Sequence, residues 1–159
     1  MESMKKVLIV GGGSDIGKVA ASYLLDDGYE LFVTVRDLEQ PIIDDLLSVG
    51  VRESNIHALE FLSFDQGVSQ LSHLCDLIGL LSGVFVSTGY SVMKPMRMFN
   101  ELDYDRVFSS SVVPSLSVAK VFSRKKNLED GGSIIFMSSV ASLSGQRGLC
   151  MYSASKGAI

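Results

Sequence analysis

The stretch Val7-Leu8-Ile9-Val10-Gly11-Gly12-Gly13-Ser14-Asp15-Ile16-Gly17-Lys18 constrains this chain more than any other. Val7, Leu8, Ile9 and Val10 form an apolar run, mostly β-branched, that reads as a buried strand. The glycines then turn the chain, and Ile16, Val19, Ala20, Tyr23 and Leu24 recur at helical spacing. Strand, glycine turn and helix is how a dinucleotide-binding unit opens. Glycines let the backbone approach a pyrophosphate, and the helix N-terminus offers free N–H groups at the positive end of its dipole. The spacing is irregular, with Asp15 where a middle glycine is often found, and a tight turn without a ligand would read the same from this stretch alone. On the ligand reading, Gly11, Gly13, Ser14, Asp15, Ile16 and Gly17 hold the phosphates.

The remaining segments repeat the same alternation. A first strand spans Lys5 to Val10, and a first helix runs from about Asp15 to Asp27, closed by Gly28. Glu30 to Val35 forms a second strand. Pro41 opens a second helix with Ile42, Ile43, Leu46 and Leu47 as its stripe, and Gly50 stops it. Ile56 to Phe61 reads as a third strand with Asp65 just beyond it, and Val68, Leu71, Cys75 and Ile78 mark a third helix ending near Gly79. Gly83 to Ser87 is a fourth strand running into Thr88-Gly89. A methionine-bearing loop with Pro95 follows, then a long helix from about Glu101 to Arg124 and a fifth strand from Ser133 to Ser138. Such alternation implies right-handed crossovers and a parallel sheet with helices on both faces. The fold expected is a three-layer, doubly wound α/β sheet of Rossmann type with strand order 3-2-1-4-5, and residues 1–159 read as one dinucleotide-binding domain, incomplete at its C-terminal end.

Charge and cysteine usage narrow the function. A net charge of −4 and a pI near 5.1 argue against a nucleic-acid surface, and Arg124-Lys125-Lys126 reads as a helix C-terminal cap. Cys75 and Cys150 form no paired motif, which points to a reducing compartment and hence a cytoplasmic protein, with no disulfide framework and no metal. No segment is long enough to span a membrane. His57 and His73 are isolated and are assigned no ligand role. The serines of 109–111 and 115–117 read as helix-surface residues.

In a parallel sheet every strand delivers its C-terminal end to one edge, where ligands bind. That edge receives Gly11 to Gly17, Arg36, Asp65, Ser87 to Gly89 and Ser138-Ser139. Arg36 closes the second strand, where NAD sites place an acidic residue. Val35 occupies that place and cannot accept a hydrogen bond, so Arg36 favours the 2′-phosphate of NADP over NAD. Ser139, Tyr152 and Lys156 make a second constellation. Tyr152 and Lys156, four apart, share one face of a helix. An ammonium beside a phenol favours the phenolate, which makes Tyr152 a candidate general acid/base, with the Ser139 hydroxyl to hold a substrate carbonyl.

With the glycine loop, the Tyr-Asp-Arg-Val-Phe segment, Gly131 to Ser142 and Tyr152 to Ala158 in view, the sequence resembles the short-chain dehydrogenase/reductase family. The resemblance implies an NAD(P)H-dependent oxidoreductase that transfers a hydride between nicotinamide and a small-molecule carbonyl/alcohol substrate. It assigns the carbonyl to Ser139 and proton transfer to Tyr152. Lys156 then tunes the tyrosine and bonds the nicotinamide ribose, and Asp65 bonds the adenine. Ser87 and Gly89 lie under the cofactor, and the chain is expected to form a homo-oligomer, a dimer or tetramer. Two positions depart from the family. Its Asn-Asn-Ala-Gly reads Val86-Ser87-Thr88-Gly89, and its catalytic asparagine aligns with Ser111, whose hydroxyl cannot reproduce an amide's paired donor and acceptor. Pro114 also removes the helical bond to the Ser110 carbonyl. The chain stops three residues after Lys156, short of where the family's chains end, and reads as a fragment, with a tail-less non-catalytic member as the alternative. By itself it is expected to bind nucleotide weakly and reduce nothing. The competing function is a non-catalytic dinucleotide-binding or interaction module. Met93, Met96, Met98 and Phe99 hint at an apolar substrate, although methionines also fill core gaps.

Overall fold

The structure is a computed structural model that describes residues 4–159. Its centre is β1 (Lys6–Val10), flanked on one side by β2 (Glu30–Val35) and β3 (Ile56–Ala58) and on the other by β4 (Leu81–Val86) and β5 (Leu128–Phe136). All four pairings are parallel, giving the order β3-β2-β1-β4-β5. Helices α1 (Asp15–Asp26), α2 (Gln40–Ser48), α3 (Phe64–Ile78), α4 (Glu101–Phe122) and α5 (Cys150–Gly157) complete a doubly wound α/β architecture of Rossmann type. The expected topology is the observed one.

Alternation along β1 divides the core in two. Leu8 and Val10 pack with Val84 and Val86 under Leu71 and Leu74 of α3 and Val118 and Val121 of α4. Val7 and Ile9 face the other way, with Val33, Ala21 and Leu46. Leu8, Ile9 and Val10 are wholly buried, each contributing about 1.5–3 kcal/mol of hydrophobic stabilisation. Local signals set the helix ends. Ser14 caps α1 by accepting from Gly17 N, Ser63 caps α3 by accepting from Gln66 N, and Asn100 with Asp103 forms a capping box on α4. Gly28, at φ +83, lets Tyr29 N reach Leu24 O and close α1.

Several boundaries and one surface differ from the sequence reading; β4 begins at Leu81 rather than Gly83, and β5 ends at Phe136 rather than Ser138. β3 stops at Ala58 rather than Phe61, because Val35, the last residue of β2, pairs with Ala58 and leaves only Leu59 N a further bond, to Val35 O. β5 starts earlier, at Leu128, through an irregular register beside Leu81 and Gly83 that places Gly131 at φ +84. The α4 helix ends at Phe122. Arg124 to Lys126 therefore lie beyond its cap at Ser123, and Lys126 bonds Asp76 at 3.2 Å. Ile16, Val19 and Tyr23 of the α1 stripe are exposed. They are exposed because α1 and α2 pack with β1 and β2, while a groove of about 560 Å³ remains over Gly83, Phe85 and Ile135 of β4 and β5. Among the described residues no helix is long and apolar enough to cross a membrane.

Candidate functional site

The glycine turn is built by close backbone approach. Gly11 N and Gly12 N both donate to Thr34 O, at 3.1 and 3.0 Å, which pins the turn to the end of β2. Gly11 lies at φ +88, and a Cβ there would sit 2.6 Å from Thr88 Cγ2. A Cβ on Gly17 would sit 2.7 Å from Gly12 Cα and 2.8 Å from Gly11 O, so this glycine seats α1 against the loop. Ser14 Oγ accepts from Gly17 N and donates to Gly11 O, and Ser87 Oγ donates to Gly11 O at 2.9 Å, joining the end of β4 to the turn. The amides at the start of α1 have no partner inside the helix. The loop can therefore present N–H groups to an anion.

A crevice of about 600 Å³ opens along the carboxyl ends of the strands, within the range of roughly 300–1,000 Å³ usual for small-molecule sites. Gly11, Gly13, Ser14, Arg36, Ser87 and Gly89 all line it. The remaining loop candidates do not. Asp15 is exposed beside Lys18, Ile16 points to solvent, and Gly17 lies under the loop. Asp15 and Asp45 both draw on Lys18, and the bond to Asp45 raises the Lys18 pKa.

Asp65 is a correction. It sits exposed in the first turn of α3, two residues past the Ser63 cap, and Leu59, Glu60, Phe61 and Leu62 line the crevice instead. The early end of β3 explains this, because the residues just after Ala58, not Asp65, continue the sheet edge. Arg36 is 76% exposed and bonds Asp37 at 3.0 Å, while Val35 is buried.

The serine runs of α4 are a second correction. Ser109 and Ser110 line the crevice with Asp105, Arg106 and Pro114, and Ser111, Ser115 and Ser117 are buried. The signal that could have found them is the helical period that joins Val107, Ser111, Pro114, Ser115 and Val118, all on the packed face. Ser115 Oγ returns its bond to Ser111 O, whereas Ser111 Oγ is buried with no partner. Pro114 cannot donate to the Ser110 carbonyl, and both residues border the crevice.

Ser139, Tyr152 and Lys156 lie beyond that lining, next to its Gly89 end. Lys156 is only 3% exposed. Its Nζ donates to Thr88 O at 3.1 Å and Met137 O at 2.8 Å, with no carboxylate partner among the described residues, and burial holds its pKa below the ordinary lysine value. A Cβ on Gly89 would lie 3.1 Å from that Nζ and 3.7 Å from Ser111 Oγ. The half-buried Tyr152 ring has its centroid 6.0 Å from the same ammonium. Ser139 caps the short turn Val140–Ser142 by accepting from Ala141 N, which leaves its own proton for another acceptor. Ser138 Oγ donates to Lys156 O at 2.8 Å and ties this turn to α5. Among the described residues no group of three or more His, Cys, Asp or Glu side chains could hold a metal.

The family model described as short chain dehydrogenase matches residues 5–159. Among curated proteins, the hydroxynaphthalene reductase-like protein Arp2 of Metarhizium brunneum is 31% identical over 98% of this chain and 58% of its own. The human 3-oxoacyl-acyl-carrier-protein reductase is 28% identical, over 98% of this chain and 65% of its own. The chain thus spans about three fifths of the length of these reductases. Among solved structures, BdcA in complex with NADPH superposes with a TM-score of 0.81 at 22% identity, covering 97% of this chain and 60% of that one. A Brucella melitensis 3-oxoacyl-acyl-carrier-protein reductase in complex with NAD gives 0.80 at 18%, covering 99% and 64%.

Proposed function

This chain belongs to the short-chain dehydrogenase family, and on that premise we propose that it binds NADP(H) in the strand-end crevice and carries the acid/base end of a carbonyl/alcohol oxidoreductase. The observation that carries the proposal is the Lys156 ammonium. Among the described residues it has no counter-ion, and it is held on the carbonyls of Thr88 and Met137 between the crevice and the Tyr152 ring. Burying an ammonium on two carbonyls costs free energy that a purely structural site could avoid with an apolar side chain.

The residues present fit a nicotinamide dinucleotide. Only glycine at 11 lets the turn pack against Thr88 beside the crevice, the α1 N-terminus offers its amides to the pyrophosphate, and the buried Thr88 Oγ1 next to the turn lacks a partner. Arg36 favours a 2′-phosphate, so NADP is preferred to NAD. Leu59, Phe61 and Leu62 offer adenine an apolar face, and Glu60 beside them takes the place first given to Asp65. When bound, the cofactor supplies or accepts a hydride at nicotinamide C4.

The chain's own residues do the rest. Ser139 donates its hydroxyl proton to the substrate carbonyl oxygen and so orients it. Tyr152 gives its phenolic proton to that oxygen as the alcohol forms, or takes it back in the reverse direction. Lys156 places a positive charge beside the phenol and stabilises the phenolate left behind. Ser111 lies close to Lys156 around Gly89, and its unpartnered hydroxyl suits a minor place in proton return.

A second reading, a dinucleotide-binding module without catalysis, draws on Ser111 standing where the family has asparagine. Incubation with NADPH and a panel of ketones, alongside calorimetric titration of NADPH, separates the two. Turnover abolished by Tyr152→Phe with NADPH affinity kept supports the enzyme. Binding without turnover makes this chain, taken by itself, a binding module, the outcome its sequence leads one to expect. Failure to bind either cofactor overturns both.

A further inference from the structure

The first turn of α5 carries Tyr152 yet has no side-chain cap. Leu149 at its N-cap makes no capping bond, and no acidic residue stands in the first turn. An eight-residue helix with a bare start is weakly held by its own sequence. The loop between β4 and α4 supplies what is missing. Lys94 N donates to Gly148 O at 3.0 Å, across 54 residues of chain, and Gly148 adopts φ +80 to receive it. A Cβ on Gly148 would lie 3.0 Å from Met93 Cγ, so the loop rests directly on this corner. Two residues on, Cys150 Sγ sits 3.2 Å from Met96 Sδ.

The other end of the loop is anchored firmly. The Lys94 ammonium forms an ion pair with Asp103, whose side chain is largely shielded from solvent. The same carboxylate accepts from Asn100 N at 3.0 Å, while Asp103 N donates to Asn100 Oδ1 at 3.1 Å, closing the capping box of α4. The bond to Lys94 holds the Asp103 carboxyl below its ordinary pKa, with help from the Asn100 amide and from Arg106. Lys94 Nζ also lies 5.4 Å from the Phe99 ring centroid.

We propose that Lys94 is a positioning residue for Tyr152, fastening the uncapped first turn of α5 to the doubly capped start of α4. Its side chain grips Asp103 and its backbone grips Gly148, so one residue joins the starts of two successive helices, α4 and α5. The claim that this placement serves catalysis rests on the role given to Tyr152 above; the fastening itself does not.

Cys150 makes the fastening measurable in the chain without cofactor. It is exposed except for its contact with Met96. Cys75 is buried, and burial pushes its thiol up to about 11, so it serves as an internal reference for global opening. The rates of N-ethylmaleimide addition at both thiols are followed by peptide mass spectrometry. Ring signals of tyrosine labelled with carbon-13 are recorded on the same samples, with the Tyr152 signal assigned through Tyr152→Phe. Lys94→Met removes the charge, Asp103→Asn removes it from the other side while keeping a capping oxygen, and Lys94→Arg retains it. The expected result is a Cys150 rate three- to tenfold higher in Lys94→Met and Asp103→Asn, with Cys75 unchanged and the Tyr152 signal shifted or broadened. Lys94→Arg should stay within twofold of the parent. The proposal is overturned if Cys150 and the Tyr152 signal do not move in either neutral variant. It is equally overturned if Lys94→Arg behaves like Lys94→Met, or if Cys75 accelerates in step with Cys150 in both. None of these readouts needs cofactor binding or turnover, so failure here leaves the dinucleotide reading standing, and the converse holds.

Discussion

Replacing Gly17 with alanine tests the loop geometry with one methyl group. The added Cβ would lie 2.7 Å from Gly12 Cα, 2.8 Å from Gly11 O and 3.0 Å from Gly12 C. Carbon atoms prefer separations of about 3.5–4.0 Å, and all three obstacles are backbone, so no rotamer change relieves them. The start of α1 must therefore move off the loop by on the order of 1 Å. Overpacking of this kind costs about 1–3 kcal/mol. Exchanging glycine for alanine within a helix returns about 0.5–1 kcal/mol, so the expected net loss is centred on about 1 kcal/mol and reaches at most about 2.5 kcal/mol. The displaced helix also takes its amides away from the crevice, and affinity for NADPH should fall with stability. Urea unfolding and calorimetric titration measure the two effects. Gly145→Ala is the control, because a Cβ there meets nothing within 4 Å and Gly145 is not among the positive-φ glycines. A Gly17→Ala chain as stable as the Gly145→Ala chain, with NADPH affinity unchanged, would refute the close-approach account of this turn.

Arg36→Ala should weaken NADPH by about 1 kcal/mol and leave NADH unchanged. A hydrogen bond to a charged group is worth about 1.5–3 kcal/mol, but screening discounts it at this exposed position; equal losses for both cofactors in calorimetry would contradict it. Ser111→Ala removes a buried hydroxyl that has no partner, so stability should hold or rise by up to about 1 kcal/mol. A clear loss in urea unfolding would show that the hydroxyl is satisfied. Lys156→Met tests the buried ammonium through pH. The folded chain gives up the Lys156 proton at a pH where the unfolded chain, at 10.5, still holds it, so the parent should gain stability as pH rises between the lowered value and 10.5. The Met variant should lack that gain, and parallel stability curves for the two chains would contradict the shift.

The order of the sheet was legible because each apolar run is bounded by glycines or caps, and Gly28, Gly79 and Ser14 act locally. Boundaries that depend on a neighbour were not. β3 ends where β2 runs out of partners, a fact held in Val35 and not in the run from Leu59 to Phe61. Asp65 was misplaced for the same reason. It looked adjacent to a strand that stops seven residues earlier, and the Ser63 cap had already started α3. The buried serines of α4 defeated the rule that serines face water: the Ser115 and Ser117 hydroxyls bond the carbonyls of Ser111 and Phe64, which polarity alone does not reveal, and the Ser111 hydroxyl is buried without a partner. Ser14 and Ser87, expected from the sequence only as ligand-binding residues, both bond the Gly11 carbonyl and stiffen the turn. The partnership of Lys94 with Asp103 and Gly148 left no trace in local pattern, since Asp103 lies across an irregular loop and Gly148 far along the sequence.

The most direct test of the central claim is a titration of the nitrogen-15-labelled chain with NADPH, followed amide by amide, with NADH as the comparison. Binding in the strand-end crevice predicts the largest shifts at Gly11 to Gly17 and Ser87 to Gly89. Residues 59–62 should follow at the adenine end, and Arg36 should respond to NADPH more than to NADH. Shifts confined to the groove beside Tyr23 and Ile135, or no saturable shifts with either cofactor, would contradict it.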